Sequence, residues 1–485
     1  MTEVLERPRA RARTAQRELA PHVPTEPTEL TKPLYQALKR GRRAADGPTD
    51  EQVRRHQRLR LHGAMIELAA QRGYGAASTR ELSRLAAVSK HDMYKHFATK
   101  ELYFLATYEF VVRSAARRVG AAELCESSWR ERLAKGFEEF AKVVVEQDNA
   151  TRIALIEVLG VGEAARGRMA HSRAVFEQML AASLDRAPGA AHMPPLFLKA
   201  IAHGVERVTR GLLLAGEQET LPPLMSQLLD WTLCLHTPAA RSLLESQAAG
   251  STGARRSSRI DNGAVRHRGE ADRPCASEDR LRNGVDRLRT GEDRLRVLRA
   301  TALIAARDGY ALLTPAQILL VSGVSSESFE ALYPRANRGL EQCFLDAHDL
   351  LWAEALLCVE RAAKAKDSSE SPTHAAIAAL LDRVATDPVF ARVAFAEVLA
   401  VGPAALERRE RVLSRLAALL SASLPAGHSG APVAMEATSG AIWGLGAHHV
   451  VHRASAQVRE LGDALSYLAL APAIGTKAAF KQLRR

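Results

Sequence analysis

The sequence predicts an all-α fold built from two tandem copies of a helical head followed by a helical-bundle body. The chain has 485 residues, which is more than one hydrophobic core usually organises. Only 5% of the residues are aromatic, and the chain is rich in Ala, Leu and Arg, a composition that favours helices. A long internal repeat then divides the chain into two similar halves.

The repeat keeps a nearly constant spacing. The stretch that starts at Arg58 aligns with the stretch that starts at Arg294, so that Gly73-Tyr74 falls on Gly309-Tyr310 at an offset of 236. Further on, EVLGVG at 157–162 falls on EVLAVG at 397–402, at an offset of 240. An insertion of four residues after Tyr333 accounts for the change. Both halves therefore have the same order, a short helical head and then a longer body.

The repeat and the polar tracts set the predicted domain boundaries. Proline-rich and arginine-rich segments with few apolar residues bury too little surface to fold. Asp-Arg-Leu-Arg occurs three times from 279 to 296, where Gly284 and Gly291 are expected to interrupt a helix. We predict a disordered basic arm at 1–50, a first head at 51–115, a first body at 116–237, a disordered polar linker at 238–290, a degenerate head at 291–350, a second body at 351–476 and a basic tail at 477–485.

The first head has the pattern of a helix-turn-helix unit. Ser78 with Glu81 three residues later predicts a capping box, and so the start of a second helix. Val88-Ser89 follows as the turn, and a third helix is predicted from Lys90 to Phe97. The segment 78–100 contains five Lys or Arg residues and two acidic residues. Its exposed face is therefore expected to be positive.

These residues resemble the TetR/AcrR family of transcriptional regulators. The family pattern appears here as Gly73-Tyr74, 78–82 STREL, 88–90 VSK, 94–97 YKHF and Lys100-Glu101. The resemblance covers about 50 residues and implies binding of double-stranded operator DNA. It implies phosphate contacts by Ser78, Tyr94 and Lys100, and positions near base edges for Lys90, His91 and His96. The complete predicted DNA-binding set is Ser78, Thr79, Arg80, Ser89, Lys90, His91, Tyr94, Lys95, His96 and Lys100.

Each of these residues also has an ordinary structural explanation. Tyr94 alone would be read as a packed aromatic residue, and Lys95 or Lys100 alone as solvated charges. Together, and at this spacing, they favour DNA contact. For His91 a base contact and no role at all stay open, because exposed histidines are common.

The second head has the folding signals of the first without its chemistry. Thr314, Pro315 and Gln317 predict another capping box with proline at the first helical position. Lys90, however, is matched by Ser326, and Tyr94 by Glu330. A carboxylate repels phosphate, so this head is expected not to bind DNA. We accordingly expect two chains to associate and present two N-terminal heads, with pairing of the halves within one chain as the alternative.

The bodies give weaker functional signals. Glu157 and Glu397 lie at matching places inside apolar runs and are expected to cap buried networks. No residue identifies a small-molecule effector, although some apolar and aromatic side chains could line a pocket. Those side chains, which the core would equally accommodate, are Met169, His171, Phe176, Met179, His203, Trp231 and Trp443. Gly440, Gly444 and Gly446 do not follow a strand and are expected to allow close helix packing.

The predicted function is a sequence-specific transcriptional regulator, by resemblance a repressor that a small molecule could relieve. The alternative is a helical protein-interaction scaffold that keeps the head fold without reading an operator. Nucleotide-binding, zinc-protease and esterase motifs are absent from the sequence, so we expect no enzyme, no cofactor and no metal site. Five unpaired cysteines and the lack of a long apolar run predict a cytoplasmic protein without a membrane partner.

The charge is unevenly distributed along the chain. The formal net charge is +12, but residues 1–60 carry 14 basic and 8 acidic residues, and 241–300 carry 14 and 9. These two segments thus supply +6 and +5, nearly the whole excess. Their basicity is expected to add salt-sensitive attraction to DNA that does not depend on sequence.

Overall fold

The computed structural model describes residues 50–187, 193–237, 240, 278–365, 371–425, 432–452 and 454–484. These residues are organised as helices joined by short turns, as the all-α prediction requires. The predicted arm at 1–50 lies outside the described residues except for residue 50, and so does most of the predicted linker. Within the described part of the chain, no helix is long and apolar enough to cross a membrane.

The first half begins with three helices that form the head. A longer helix then leaves the head and enters the body, so the predicted boundary at 115/116 falls inside one continuous helix. The helices of this half are α1 (Asp50–Arg72), α2 (Thr79–Ala86), α3 (Lys90–His96), α4 (Lys100–Leu124), α5 (Trp129–Glu146), α6 (Asp148–Leu155), α7 (Glu163–Leu184), α8 (Pro195–Ala215) and α9 (Leu221–Leu235), with 3₁₀ turns at Glu157–Val161 and Gln218–Thr220.

The second half follows the same order. Its helices are α10 (Glu278–Asp308), α11 (Pro315–Ser322), α12 (Ser326–Leu332), α13 (Gly339–Lys364), α14 (Pro372–Thr386), α15 (Pro388–Phe395), α16 (Pro403–Ala422), α17 (Pro432–Val451), α18 (Gly462–Ile474) and α19 (Thr476–Leu483), with 3₁₀ turns at Tyr310–Leu312, Arg335–Asn337, Glu397–Ala400 and Ser455–Leu461.

Two predicted boundaries in the second half are wrong. The linker was expected to reach residue 290, but α10 begins at Glu278 and includes Gly284 and Gly291. One glycine costs a helix only about 1 kcal/mol, which the surrounding Arg, Leu and Glu residues offset. The predicted tail from 477 is the helix α19, because Ala479 is fully buried and Phe480 packs against the core.

The same contact fastens the head to the body in each half. Glu157 accepts a hydrogen bond from the backbone N–H of Tyr74 at 2.9 Å, and Glu397 accepts one from Tyr310 at 3.0 Å. Gly73 and Gly309 adopt φ of +83° and +93° just before these tyrosines, a region that glycine enters without strain. Each glutamate thus caps a backbone N–H of the head, where the sequence predicted the cap of a buried network.

The two bodies pack against each other within the chain, chiefly through α8 of the first and α17 of the second. Glycines permit the close approach, as expected. A Cβ at Gly440 would lie 2.9 Å from the His203 carbonyl oxygen, and one at Gly204 would lie 2.9 Å from the Ala437 carbonyl oxygen. Trp231 of α9 donates from Nε1 to Thr438 Oγ1 at 3.2 Å across this interface.

This pairing within one chain is the alternative that the sequence left open beside the association of two chains. A second chain that packed on α8 would need the face that α17 already covers. Arg207 and Thr209 of α8 are buried in this chain. The physical reason is that a second body on the same chain is always present at high effective concentration. Association of two chains stays a prediction, and it would have to use another face.

A buried ion network joins the two bodies at the same interface. Arg207 pairs with Glu410 at 3.0 Å and with Glu436 at 2.8 Å. Arg210 lies 3.4 Å from Glu410, and Arg409 lies 2.7 Å from the same carboxylate. Although burial alone would raise it, the pKa of Glu410 is lowered by Arg409, Arg207 and Arg210. Three buried guanidinium groups thus share Glu410, although Arg207 also faces Glu436 and Arg210 also faces Glu206.

Candidate nucleic-acid interface

The head presents one basic surface, formed where α2 and α3 meet at the turn. We call it the basic face and define it by five exposed side chains, those of Arg80, Arg84, Lys90, Tyr94 and Lys95. The core beneath it is closed by Leu82, Val88, Met93 and Phe97, which are all buried. The polar side chains of α2 and α3 therefore point outward because the apolar ones hold the opposite side of each helix.

Hydroxyl caps fix where the two short helices begin. Ser78 Oγ accepts from the Glu81 N–H at 3.2 Å and donates to the Glu81 carboxylate at 2.7 Å. Ser89 Oγ accepts from the Asp92 N–H at 3.0 Å. Both helices thus start at the residues that the sequence predicted, Thr79 and Lys90. Such caps leave helix N-termini aimed at solvent, where anions are favoured.

The acidic residues of α2 and α3, Glu81 and Asp92, are already paired. Glu81 lies 2.7 Å from Arg72, and Asp92 lies 3.1 Å from Lys95. The pKa of Glu81 is lowered chiefly by hydrogen bonds from Ser78 and Arg72, and the pKa of Asp92 by hydrogen bonds from Ser89 and Lys95. Both carboxylates therefore stay ionised and neutralised near neutral pH, which leaves the basic face positive.

The structure separates the predicted DNA-binding residues into two groups. Ser78, Arg80, Ser89, Lys90, His91, Tyr94 and Lys95 are exposed, whereas Thr79, His96 and Lys100 are half-buried. His96 Nε2 lies 3.0 Å from Gln57 Oε1 of α1, and burial lowers its pKa. Lys100 Nζ donates to the Gly75 carbonyl oxygen at 3.1 Å and lies 4.6 Å from the ring centre of Tyr74. His96 and Lys100 thus have protein partners before any ligand arrives.

Sequence reasoning overlooked one residue that ties the head to α4. His62 is buried, lies 2.9 Å from Thr107 Oγ1 through Nδ1 and stacks on Phe110 at 4.8 Å between ring centres. Thr107 donates its own hydroxyl to the Tyr103 carbonyl oxygen at 3.0 Å, so Nδ1 of His62 carries the hydrogen. The helical spacing of Leu61 and Met65 already placed residue 62 beside the core, but nothing in the sequence named its partners.

The structure predicts acid sensitivity from His62. Burial, followed by Arg58, Arg113 and His96, lowers the pKa of His62 from 6.5 to about 3. A histidine whose folded pKa lies below its unfolded value stabilises the fold above pH 6.5, and this stability is lost as the pH falls from 6.5 towards 3. At pH 5 the loss is about 2 kcal/mol.

The His62→Leu variant copies Leu298, the buried residue at the matching position of the second head, and serves as the comparison. Thermal unfolding at pH 7.5 and pH 5 should show a larger fall in midpoint for the unaltered protein than for this variant. Equal falls would mean that other groups cause the acid sensitivity.

The second head presents a different surface at the corresponding place. Its capping box forms as predicted, with Thr314 and Gln317 bonded in both directions. Leu320, at the position of Arg84, is 85% exposed. Glu330, at the position of Tyr94, accepts from the Arg335 N–H at 2.9 Å. Apolar and acidic groups thus replace the basic face of the first head.

Comparison with known proteins shows that part of the first head is similar to one protein family. Residues 63–107 match the model of the bacterial regulatory proteins of the tetR family. No curated protein matches the chain.

Solved structures that resemble the chain include three regulators. A TetR-like transcriptional regulator from Rhodococcus sp. RHA1 is 19% identical, with 36% of this chain and 95% of that chain covered and a TM-score of 0.31. The transcriptional regulator FadR from Bacillus subtilis, in complex with stearoyl-CoA, is 13% identical, with 36% and 96% covered and a TM-score of 0.33. A TetR family regulator from Marinobacter aquaeolei VT8 is 17% identical, with 36% and 94% covered and a TM-score of 0.28.

The family match falls on α1 to α4 and so includes α2 and α3, the two helices that carry the basic face. Residues 63–107 are therefore similar to the helix-turn-helix domain of the tetR family of bacterial regulatory proteins, and this match supports a DNA-binding transcription regulator.

Proposed function

We propose that this chain is a transcriptional repressor that reads one operator half-site with its N-terminal head. The observation that carries the proposal is the contrast between the two heads of one internally paired chain. The first head exposes Lys90 and Tyr94 on α3, whereas the second has Ser326 and Glu330 at these positions on α12. The second half then acts as a tandem copy that supplies the packing partner of the first body rather than a second reading head.

The proposed DNA contacts follow from exposure. Tyr94 and Lys95 on α3 and Ser78 at the start of α2 would bind phosphate oxygens, which position a protein on the duplex. Lys90 and His91, at the N-terminal end of α3, would lie nearest the base edges, as the N-terminal residues of recognition helices do. Lys100 reaches phosphate only if its bond to the Gly75 carbonyl oxygen is exchanged. His96 would support α3 from behind through Gln57.

Relief by a small molecule is the regulatory part of the proposal. A cavity of about 180 Å³ lies in the first body and is lined by α4, α5, α6, α7 and α8. Helix α4 leads from this cavity directly to the head, where it carries Thr107, the partner of His62. A ligand that moves α4 would therefore alter the position of the basic face.

A gel-shift assay tests the proposal. An operator recovered from random-sequence DNA by in vitro selection should bind the full chain at least about 1,000-fold more tightly than unselected DNA at physiological salt. The selected sequence should contain a single half-site, and a required inverted copy would show instead that two chains associate on the DNA. Equal affinity for selected and random DNA would contradict operator reading.

Equal affinity would instead favour the scaffold alternative, for which the exposed Leu320 and Val321 of the second head are the supporting observation.

A further inference from the structure

The cavity of the first body has an almost wholly apolar wall. Val112 of α4, Phe140 of α5, Ala150 of α6, and Met169 and Phe176 of α7 all contribute to it. Met169, Phe176 and Met179 are cavity residues, as the sequence allowed. Among the other candidates, His203 and Trp231 lie at the interface between the bodies, and Trp443 stacks on Phe395 in the second body; like His171, they are not part of this wall.

The few charged groups in the wall do not call for a charged ligand. Arg173 donates to Glu206 from Nε at 3.1 Å and from Nη2 at 2.9 Å, so these two charges neutralise each other. Burial raises the pKa of Glu123 to about 7, although Ser183, Arg132 and Arg186 act in the opposite direction. A pKa of about 7 lets the Glu123 carboxyl group be protonated, and so uncharged, near neutral pH. An uncharged apolar molecule has no charge to remove from water when it enters this cavity.

The matching region of the second body is filled with aromatic rings. At the offset of 240, Val112 is matched by Trp352, Ala150 by Phe390 and Leu155 by Phe395. These three rings are at most 1% exposed. The Trp352 ring centre lies 5.2 Å from that of Phe390 and 5.5 Å from that of Phe395.

At two other positions the first body has an aromatic residue and the second an aliphatic one, but these smaller side chains leave no cavity around them. Phe137 and Phe140 are matched by Ile377 and Leu380, but both of these aliphatic side chains are only 1% exposed. The second body has thus turned the space that is a cavity in the first into packed core.

We propose that each chain binds one molecule of an uncharged apolar compound of about two fused rings, in the first body and not in the second. The cavity of about 180 Å³ is larger than an engineered apolar cavity of about 150 Å³ that holds benzene. A compound larger than benzene is therefore accommodated, and two fused rings are the upper end of the size range. The effect of the ligand on DNA binding rests on the proposed function. The binding of the ligand itself does not. One ligand per chain follows from the unequal packing of the two bodies.

Fluorescence titration of the full chain with 1-aminonaphthalene, which is uncharged at pH 7.5, tests the inference without DNA. We expect saturation at one probe per chain. Naphthalene should displace the probe, whereas 1-naphthoate and 1-naphthylmethylammonium should bind at least about tenfold more weakly. Two probes per chain, no saturable binding, or equal affinity for the charged analogues would overturn the inference.

Exchange of residues between the bodies provides the matched variants. Ala150→Phe introduces the ring of Phe390 into the first body and should weaken probe binding at least about tenfold. Phe390→Leu alters the second body at the matching position and should leave one site of unchanged affinity. Circular dichroism checks folding, and Leu155→Phe, which copies Phe395, replaces Ala150→Phe if that variant does not fold. Loss of binding in Phe390→Leu with retention in the first-body variant would overturn the assignment.

The effect on DNA is measured separately by gel shift with and without 1-aminonaphthalene. If the probe binds once per chain but leaves operator affinity unchanged, relief by ligand fails and the site assignment stands. If the operator is bound but the probe is not, the site assignment fails and operator reading stands.

Discussion

Glu410→Gln is expected to lower the free energy of unfolding by about 3–5 kcal/mol, because it removes the one carboxylate that faces three buried guanidinium groups. Arg207, Arg210 and Arg409 are each at most 4% exposed and lie within 3.4 Å of Glu410. The neutral amide keeps the shape of the side chain but removes the carboxylate that pairs with Arg409. Glu436 still faces Arg207, and Glu206 still faces Arg210. Urea unfolding followed by tryptophan fluorescence measures the effect, since Trp231 lies at the interface.

Glu360→Gln is the matched control. Glu360 also bonds to a cationic side chain, that of Lys364 at 2.6 Å, but on the exposed side of α13. Solvent screens such a pair, so no measurable change is expected. Similar effects of the two substitutions would mean that the interface network does not hold the bodies together.

The pKa of Glu410 determines how the difference in unfolding free energy between the unaltered protein and Glu410→Gln changes with pH. The folded pKa of Glu410 lies below its unfolded value of 4.5. Its contribution is therefore present above pH 4.5 and is lost as the pH falls through the folded pKa. The difference between the unaltered protein and Glu410→Gln should shrink below pH 4.5, and a difference that grows with acid would contradict the ionised network.

Transfer of the second head's residues to the first is expected to weaken operator binding about 100-fold. The double variant Lys90→Ser, Tyr94→Glu removes a cation and a phosphate donor, and it places a carboxylate against the DNA backbone. Two contacts worth about 1–2 kcal/mol each account for this factor. Gel shifts over a range of salt concentrations measure it, and the salt dependence should also fall, because fewer counterions are released.

The reciprocal double variant Ser326→Lys, Glu330→Tyr is the control. Ser326 and Glu330 are both exposed, so either pair of exchanges should leave the head folded. Under the single-head proposal this variant changes operator affinity by less than about twofold. A large change in this control, or unchanged binding in the first double variant, would remove the distinction between the two heads.

Much of the fold could be predicted from local sequence signals. Hydroxyl residues at 78, 89 and 314 predicted the starts of short helices, because a side-chain oxygen that caps a helix acts within three residues. The Gly-Tyr pair and the glutamate recur in both halves, but their contact with each other was not predicted and was found only in the structure. Helix ends without such signals were less predictable. The start of α10 at Glu278 was missed, since helix propensity outweighed two glycines.

The candidate site was predictable in residue type but not in placement. The spacing of Lys90, Tyr94 and Lys95 along one short helix was enough to put them on one exposed face. His96 follows the same spacing and still turns towards Gln57, a residue 39 positions earlier. Contacts at such separation depend on how α1 crosses α3, which no local pattern contains.

The sequence by itself determined that this protein is helical, that its two halves share one order of helices, and that the basic and tyrosine side chains of the first head are not repeated in the second. These features depend on the local spacing of residues, on capping residues and on the identity of exposed side chains. Only the tertiary structure decided that the bodies pair within the chain through α8 and α17, and that a cavity lies in the first body where three aromatic rings pack in the second. Both depend on side chains far apart in sequence, because close packing is a property of the surfaces that meet and not of either helix alone.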